Sequence, residues 1–428
     1  SKIYTSLTMY ASKNQKVTLP DVPKVKGYAN LGWTTEKGET EPEYSAGETI
    51  KIKKSTQFFA VRRKSNYYTV SYYLGNGSTN AAYQKLTQTV EEGTVVTFAK
   101  VPARTGYVNQ GWSSKKNSEK ATAKAKCTVN KNITLYAVQK KAVQLTFHRC
   151  DGSTWQKTTL AKGSSYSLPG VRDAEGYTFM GWSTKPMQSV SPQYEAEEKI
   201  TVNGNVDLYA VVFNRTTETD LTEDQLPQVD IYKYKQVIFV GDSRTEFMEN
   251  VLTGMGESAT KNVKFVCSAG KGLDWFTTTG WAQLYSIVQH DSNSILSKKT
   301  AVIFNFGVND LSKSADYAEY YNWIAPQLKS KGCELYFMSV NPVNRLMLPN
   351  AGRADRSEAA VRSFNQYMKA NLSSAYTYID MYSYLKSTGY SFASDHYGTG
   401  TVDDGLHYTT RTYKRIFAKC MDSLRVPA

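Results

Sequence analysis

The first half of the chain repeats one pattern three times, and this repetition limits the fold more strongly than any other feature. Each copy holds a Gly-Tyr pair, a Gly-Trp pair a few residues later and a closing aromatic-Ala-Val run. The copies read Gly27-Tyr28, Gly32-Trp33 and Phe58-Phe59-Ala60-Val61; Gly106-Tyr107, Gly111-Trp112 and Leu135-Tyr136-Ala137-Val138; and Gly176-Tyr177, Gly181-Trp182 and Leu208-Tyr209-Ala210-Val211. Short alternating runs flank these landmarks, so each copy predicts a strand-rich module of about 70 residues, near the lower size limit for independent folding.

The repeated tryptophans have two interpretations. A module this small needs large apolar side chains to build a core, and a Trp at a fixed offset in every copy fits that need. The alternative is a row of exposed Trp side chains that stacks on carbohydrate. We favour the core.

These copies resemble the internalin-type B repeats of bacterial surface proteins. The first copy is the most divergent, because Phe58-Phe59 replaces Leu-Tyr. The resemblance implies three β-grasp-like repeats, at 1–64, 65–140 and 141–214, which act as stalk or adhesive modules of a secreted or wall-associated protein. The chain opens on Ser-Lys-Ile-Tyr without a leader, so we expect any signal peptide to have been removed.

The net charge of +14 is unevenly distributed. Residues 1–214 contain 29 Lys and Arg against 16 Asp and Glu, whereas residues 215–428 contain 23 against 22. The excess predicts that residues 1–214 bind an anionic surface, although an ordinary solvated surface would look the same. No nucleic-acid motif accompanies the charge, and no apolar run approaches the ~18–20 residues of a membrane span. We therefore expect neither a nucleic-acid partner nor a transmembrane segment.

The pattern changes after the repeats. Residues 215–231 are polar and Thr-rich, which predicts a linker. In residues 232–428, apolar strand-like runs alternate with helical patterns, which predicts an α/β domain with a doubly wound parallel sheet. The predicted strands are 237–240, 263–266, 301–304, 334–338 and 376–379, and the clearest helices are 317–329 and 356–370.

Polar motifs follow the predicted strands, where such a sheet gathers its functional groups. Ser243, in a Gly-Asp-Ser sequence, begins a helix where its amide can face an oxyanion, although an N-cap would look the same. Gly270 follows the second strand and Asn309 the third, and each also fits an ordinary turn. Near the end, Asp404 precedes His407 by three residues, a spacing that lets the carboxylate orient the imidazole for general-base work.

Together, these four motifs resemble the Ser, Gly, G-x-N-D and D-x-x-H blocks of the GDSL or SGNH hydrolases, over residues 232–426. The resemblance implies a serine esterase with Ser243 as nucleophile, His407 as base and Asp404 as the residue that orients the base. It also implies an oxyanion hole formed by the amides of Ser243 and Gly270 and the side chain of Asn309. No Asn precedes Gly270, in contrast to many members of the family.

The substrate pocket and the base leave alternatives open. Arg244 replaces the Leu of the family's name and could meet an acidic substrate group or solvent. Trp275 and Phe276 could line an acyl or sugar pocket, or belong to the core. His396 is the rival base, but no acid stands three residues before it. The four His and five Cys show no metal-ligand spacing, so we expect no metal and no cofactor.

We therefore expect a secreted or cell-surface esterase that removes small acyl groups, chiefly acetyl, from a carbohydrate or cell-wall polymer. Two alternatives remain. The protein could be a surface adhesin with a catalytic-like passenger domain, or an O-acyltransferase in which a sugar hydroxyl captures the acyl group from Ser243.

Overall fold

The computed structural model describes residues 7–230, 233–291, 299–348, 356–393 and 404–424. The chain divides into two units, Ser1–Val143 and Gln144–Ala428. The first unit contains the first two repeats. The second contains the third repeat together with the C-terminal domain.

The first unit is built from short strands. They are β1 (Lys16–Thr18), β2 (Tyr28–Thr34), β3 (Thr49–Lys51), β4 (Phe59–Lys64), β5 (Tyr67–Tyr73), β6 (Gln88–Glu91), β7 (Thr94–Thr97), β8 (Tyr107–Ser113), β9 (Lys126–Val129) and the first part of β10 (Ile133–His148). A single-turn helix, α1 (Ala81–Gln84), follows β5 and is capped by Asn80. In the second repeat, β5 pairs in parallel with β10 and antiparallel with β6.

The third repeat belongs to the second unit and has the same strand pattern. Its strands after β10 are β11 (Thr154–Ala161), β12 (Ser164–Ser167), β13 (Tyr177–Ser183), β14 (Lys199–Val202) and β15 (Val206–Asn214). Residues 145–148 of β10 pair in parallel with β15, and β13 pairs with β15 antiparallel. The prediction of β-rich repeats is confirmed.

The repeated tryptophans form the cores of the repeats. All three are buried, at 5%, 6% and 0% exposure in chain order. Each indole N–H also donates to a backbone carbonyl 13 residues earlier. The only polar group of the buried Trp side chain therefore has a hydrogen-bond partner. The bonds are Trp33 to Pro20 (2.8 Å), Trp112 to Ala99 (2.6 Å) and Trp182 to Pro169 (2.8 Å). The core interpretation is confirmed, and the exposed stacking platform is wrong.

The glycine before each tryptophan is required by the backbone. Gly181 has φ +140° and lies where β13 shifts its register against β15. A Cβ at this position would lie 2.5 Å from the carbonyl oxygen of Tyr194. Gly32 has φ +151° and lies at the corresponding shift between β2 and β4. The Gly-Trp pair therefore marks a bulge that only glycine accommodates.

The C-terminal domain alternates strands and helices. Its strands are β16 (Tyr234–Gly241), β17 (Val263–Cys267), β18 (Lys299–Asn305), β19 (Cys333–Met338) and β20 (Tyr376–Ile379). Its helices are α2 (Ser243–Met255), α3 (Leu273–Trp275), α4 (Trp281–Asp291), α5 (Ser314–Ser330), α6 (Glu358–Asn371), α7 (Met381–Thr388) and α8 (Thr410–Ser423), with a π-helical turn, Phe276–Gly280, between α3 and α4. None of the helices in the described ranges combines the length and the apolar character that a bilayer span demands.

The sheet of this domain is parallel throughout its described strands. The strand order is β17-β16-β18-β19-β20, and every neighbouring pair is parallel. The predicted doubly wound α/β fold is confirmed. Because the order reverses at β16, the carboxyl ends of β16 and β18 border the crevice where such sheets place their functional groups.

Two hydrophobic layers cover the two faces of the sheet. One layer joins Val240 and Phe304 to buried residues of α4, α5 and α6. The other joins Val237 and Phe239 to buried residues of α2, α7 and α8. Alternate residues of β16 therefore enter opposite layers, as the period of a strand requires.

The second layer also contains residues from outside the C-terminal domain. Met180 and Phe213 of the third repeat belong to it, as do Leu226 and Val229 of the segment predicted to be a linker. The composition of residues 215–231 predicts a linker, whereas residues 215–230 pack against the domain. The polar composition of this segment conceals the anchoring role of the apolar Leu226 and Val229 side chains and of a buried carboxylate.

That carboxylate belongs to Glu218, which is 5% exposed. It accepts hydrogen bonds from Ser391 Oγ at 2.6 Å, from Thr412 Oγ1 and from Arg415 Nη1 at 2.9 Å. Arg415 is itself buried, at 7% exposure. Glu218 therefore neutralises a buried cation of α8 from the segment that leads into the domain.

Glu218→Ala should destabilise the second unit by about 3–5 kcal/mol, because it leaves the buried Arg415 guanidinium without its carboxylate. Urea unfolding followed by tryptophan fluorescence measures the change. Glu175→Ala, which removes an exposed carboxylate of the third repeat, is the control and should stay within about 0.5 kcal/mol of the wild type. An equal effect of both variants would contradict the anchoring role.

Candidate active site

Ser243 lies at the first turn of α2, directly after β16. The preceding Asp242 is the N-cap, and its side chain accepts from the backbone N–H of Arg244 at 3.0 Å. Gly241 ends the strand, and a Cβ there would lie 2.9 Å from the carbonyl oxygen of Asn305 and closer still to Thr245. The turn therefore needs glycine, and it places the Ser243 amide at a helix N-terminus, where N–H groups lack intrahelical acceptors.

Arg244 does not face a substrate pocket, so that prediction is wrong. Its side chain is buried, at 2% exposure. Nε donates to the carbonyl of Leu406 at 3.0 Å, and Nη1 and Nη2 donate to those of Asn341 and Pro342, each at 2.9 Å. The hydrogen bonds of the guanidinium are made within the protein that surrounds it, because three backbone carbonyls lie where its planar group can donate to them.

His407 lies on a tight turn just before α8. Asp404 Oδ1 accepts from the backbone N–H of Leu406 at 2.8 Å and of His407 at 2.7 Å. Ala393 pairs with both ends of the turn, since its N–H donates to His407 O and its carbonyl accepts from Asp404 N. The turn is thus held by backbone bonds before any side chain of the site is considered.

The structure brings the three predicted catalytic side chains together. His407 Nε2 lies 2.9 Å from Ser243 Oγ, and His407 Nδ1 lies 2.7 Å from Asp404 Oδ2. Because an ionised carboxylate can only accept, Nδ1 carries a proton and Nε2 is the acceptor for the serine hydroxyl. Phe247 packs edge-on against the imidazole, with the ring centres 4.5 Å apart, and the histidine is only 3% exposed.

Asn309 and Gly270 lie on adjoining loops. Asn309 Nδ2 donates to the carbonyl of Lys271 at 2.8 Å, beside Gly270. Glu246, one turn into α2, accepts from the N–H of Ala269 at 2.6 Å and so ties the same loop to the helix that begins with Ser243. Gly270 has φ +70°, and no described atom lies within 4 Å of the position that a Cβ would occupy. The glycine therefore borders open space.

Two residues at the site were not singled out as site residues from the sequence. Arg356 is 8% exposed and its Nη2 donates to Asn309 Oδ1 at 2.6 Å. Asp310 accepts from the N–H of Leu273 at 2.9 Å and from Tyr317 OH at 2.7 Å. Asp310 adjoins Asn309 in the motif and could have been found there, whereas nothing in the sequence around Arg356 marks it.

The remaining predicted site residues divide between core and surface. Phe276 is fully buried among the aromatic side chains of one hydrophobic layer, so its place in a substrate pocket is wrong. Trp275 is half-buried, and its ring lies 6.1 Å from that of Phe306. His396, the rival base, lies outside the described residues.

Comparison with known families agrees with this geometry. Residues 237–420 match the GDSL-like lipase/acylhydrolase family. The C-terminal domain is a GDSL/SGNH acylhydrolase. Residues 4–61, 68–138 and 144–211 match the Listeria–Bacteroides repeat domain, and the narrower resemblance to internalin B repeats is not supported.

Two curated relatives from Evansella cellulosilytica carry provisional names that describe membrane proteins. The first, a Gly-rich protein, is 25% identical over 209 residues, which are 48% of this chain and 23% of the relative. The second is 24% identical over 192 residues, which are 45% of this chain and 27% of the relative. The chain therefore spans about a quarter of the length of each.

Solved structures similar to the acylhydrolase domain include an acetyl xylan esterase, at 10% identity and a TM-score of 0.31, covering 44% of this chain and 100% of that one. They also include the catalytic domain of peptidoglycan O-acetyltransferase A from Streptococcus pneumoniae. Its identity is 17% and its TM-score 0.27, over 45% of this chain and 92% of that one.

Asp242 gives the acylhydrolase domain a distinctive pH dependence. Burial raises the pKa of its carboxyl from 3.8 to about 6, although the nearby Arg244 opposes the shift. Between these two pH values the folded protein keeps the proton and the unfolded chain loses it, so the contribution of Asp242 to stability falls as pH rises.

Asp242→Asn keeps the helix cap and removes the titration. Relative to the wild type, the variant should gain about 2–3 kcal/mol of stability between pH 4 and pH 7, and the gain should level off above pH 7. Urea midpoints at pH 4, 5.5 and 7.5 measure this difference. Asp274→Asn, which removes a surface carboxylate, should track the wild type. A gap between Asp242→Asn and wild type that is constant with pH would refute the assignment.

Proposed function

We propose that the acylhydrolase domain is a serine esterase that removes small acyl groups, chiefly acetyl, from a carbohydrate or cell-wall polymer outside the cell. The observation that carries the proposal is the hydrogen-bonded series from Ser243 Oγ through the His407 imidazole to Asp404, at 2.9 and 2.7 Å. A serine, an imidazole and a carboxylate linked in this order make a hydroxyl nucleophilic at neutral pH.

Each step follows from this geometry. His407 Nε2 takes the Ser243 proton as Oγ attacks the ester carbonyl, and Asp404 stabilises the imidazolium that forms. The imidazolium then returns the proton to the leaving sugar oxygen, which departs as an alcohol and leaves an acyl-serine. A water molecule, deprotonated by His407, attacks that ester and releases the carboxylic acid and the free serine.

The negative charge that develops on the carbonyl oxygen needs donors. The amide of Ser243, the amide of Gly270 and the Asn309 side chain are the candidates. The helix N-terminus at Ser243 and the open space beside Gly270 support this role. One hydrogen of the Asn309 amide is used by Lys271, and the NH₂ group has a second.

The limited space around the Ser243 hydroxyl supports a small acyl group as the substrate. Ser243 is 6% exposed and His407 is 3% exposed, with Phe247 against the imidazole. A bulky acyl chain would need more room around the hydroxyl. Trp275, half-buried at the end of α3, is the remaining candidate for a surface on which a sugar ring stacks.

The first two repeats support an anionic polymer as the partner. Residues 1–143 hold 23 Lys and Arg against nine Asp and Glu and carry the whole net charge of +14, whereas residues 144–428 hold 29 of each. A field of one sign, separate from the neutral catalytic unit, favours attachment to a polyanion rather than to the ester itself. The membrane-protein names of the curated relatives favour a location at the cell surface.

Ser243→Ala should abolish ester hydrolysis, because the nucleophile is lost. The test is a panel of p-nitrophenyl esters from acetyl to octanoyl together with O-acetylated xylan and O-acetylated peptidoglycan, with wild type and variant side by side. We expect turnover to be highest for acetyl and to disappear in Ser243→Ala. A wild type that cleaves none of these esters would refute the proposal, and activity that survives in Ser243→Ala would refute the nucleophile. Acyl transfer to an added sugar would favour the transferase alternative.

Asn309→Ala should lower kcat by about 10²–10³, because one oxyanion donor is lost, with little change in KM. Asn309→Asp is the matched variant. It keeps the shape and the acceptor for Arg356 but replaces the donor with an anion, so its loss should be at least as large. Wild-type kcat in Asn309→Asp would exclude Asn309 from the oxyanion hole.

A further inference from the structure

The loop after β19, residues 339–348, contacts both segments that carry the catalytic side chains. The carbonyls of Asn341 and Pro342 accept from Arg244, the neighbour of the nucleophile. The backbone N–H of Asn344 donates to the carbonyl of Gly405 at 2.8 Å, within the turn that carries His407. This segment, named here the support loop, therefore lies against both α2, which begins with Ser243, and the turn formed by residues 404–407, the histidine turn.

The contact between the support loop and the histidine turn is close-packed. Gly405 has φ +64°, and a Cβ there would lie 2.7 Å from Met347 Cβ and closer still to the carbonyl oxygen of Asn344. Asn341 and Met347 are 1% and 2% exposed. Because nothing separates the two backbones, a displacement of the loop must displace the turn.

The third repeat holds the support loop from the other side. Asn344 Nδ2 donates to the carbonyl of Val171 at 3.0 Å and to Asp173 Oδ1 at 2.9 Å. The Asp173 side chain is fully buried, and it is fixed by the N–H of Phe179 in the repeat at 2.9 Å and by Arg215, just after the repeat, at 2.7 Å. The acceptor for Asn344 is thus rigid and belongs to the repeat.

The neighbours of Asn344 are bound to the same repeat. Arg345 pairs with Glu197 at 3.0 Å, and the Arg172 guanidinium donates to the carbonyl of Leu346. Three consecutive loop residues therefore depend on the third repeat for their position. A module that served only as a stalk would not need to form hydrogen bonds and an ion pair with a loop beside the proposed base.

We propose that the third repeat is required for full esterase activity. In this proposal Asn344 is a positioning residue, through which the repeat fixes the position of the histidine turn. This inference rests on the hydrolase function proposed above. The base must be held within about 0.5 Å of its productive position relative to the serine hydroxyl, and a misplacement of about 1 Å costs about 100-fold in rate. The repeat thus supports the chemistry without touching the substrate.

The test uses the full chain and compares Asn344→Ala with Arg362→Ala. Arg362 donates to the carbonyl of Ala196 in the same repeat at 3.0 Å, but from α6 rather than from the support loop. Sites are counted by titration with a fluorophosphonate, which labels an activated serine, and kcat and KM are measured on p-nitrophenyl acetate. Asn344→Ser, which can still accept from the N–H of Leu346, is the second variant if the alanine variant does not fold.

We expect Asn344→Ala, or Asn344→Ser, to lose about 10- to 100-fold in kcat per titrated site with KM nearly unchanged, since the base is displaced and the binding surface is not. Arg362→Ala should keep kcat within about 2-fold even if its melting temperature falls. Wild-type kcat in the Asn344 variants, or an equal loss in Arg362→Ala, would overturn the positioning role and leave the esterase proposal intact. A wild type that the fluorophosphonate does not label would overturn the esterase proposal itself.

Discussion

The buried guanidinium of Arg244 joins the segments on which the active site depends. From one side chain it donates to the carbonyls of Leu406, Asn341 and Pro342. These carbonyls belong to the histidine turn and to the support loop, and Arg244 itself adjoins Ser243. Hydrogen bonds from a charged donor are among the stronger ones in proteins, and the rigid fork of Arg fixes directions as well as distances. The separation of Ser243 and His407 therefore depends on a side chain that lies inside the protein, at 2% exposure.

The same principle extends to the third repeat. Met180 and Phe213 enter the hydrophobic layer on one face of the acylhydrolase sheet, and Glu218, in the segment that follows the repeat, neutralises a buried Arg415 of α8. The repeat also reaches the support loop through Asp173 and Asn344. The first two repeats form the other unit and carry the net positive charge. The same sequence pattern thus forms a charged module in the first two repeats and, in the third, a part of the unit that contains the acylhydrolase domain.

The outcome of each prediction from the sequence depended on how local its physical cause is. Gly181 was readable because a β-bulge requires a conformation that only glycine adopts easily, and Trp182 because a small module needs a large core side chain. Ser243 and His407 were readable because parallel strands bring their carboxyl ends to one edge. The prediction for Arg244 is wrong because the amino-acid sequence does not distinguish an exposed arginine from a buried one. The three backbone carbonyls that accept from Arg244 come together only in the folded protein.

The strand-rich repeats, the parallel α/β domain and the order of its four motifs can be predicted from the amino-acid sequence, because periodicity, turn chemistry and strand ends are local or nearly local properties. Three features depend on the folded protein: residues 215–230 pack against the domain, Arg356 donates to Asn309, and Asp173 accepts from Asn344. Each of these contacts joins residues far apart in the chain. From the sequence, the carboxylates and guanidinium groups concerned would be expected at the surface. They can be buried only because a partner distant in the chain compensates their charge or satisfies their hydrogen bonds.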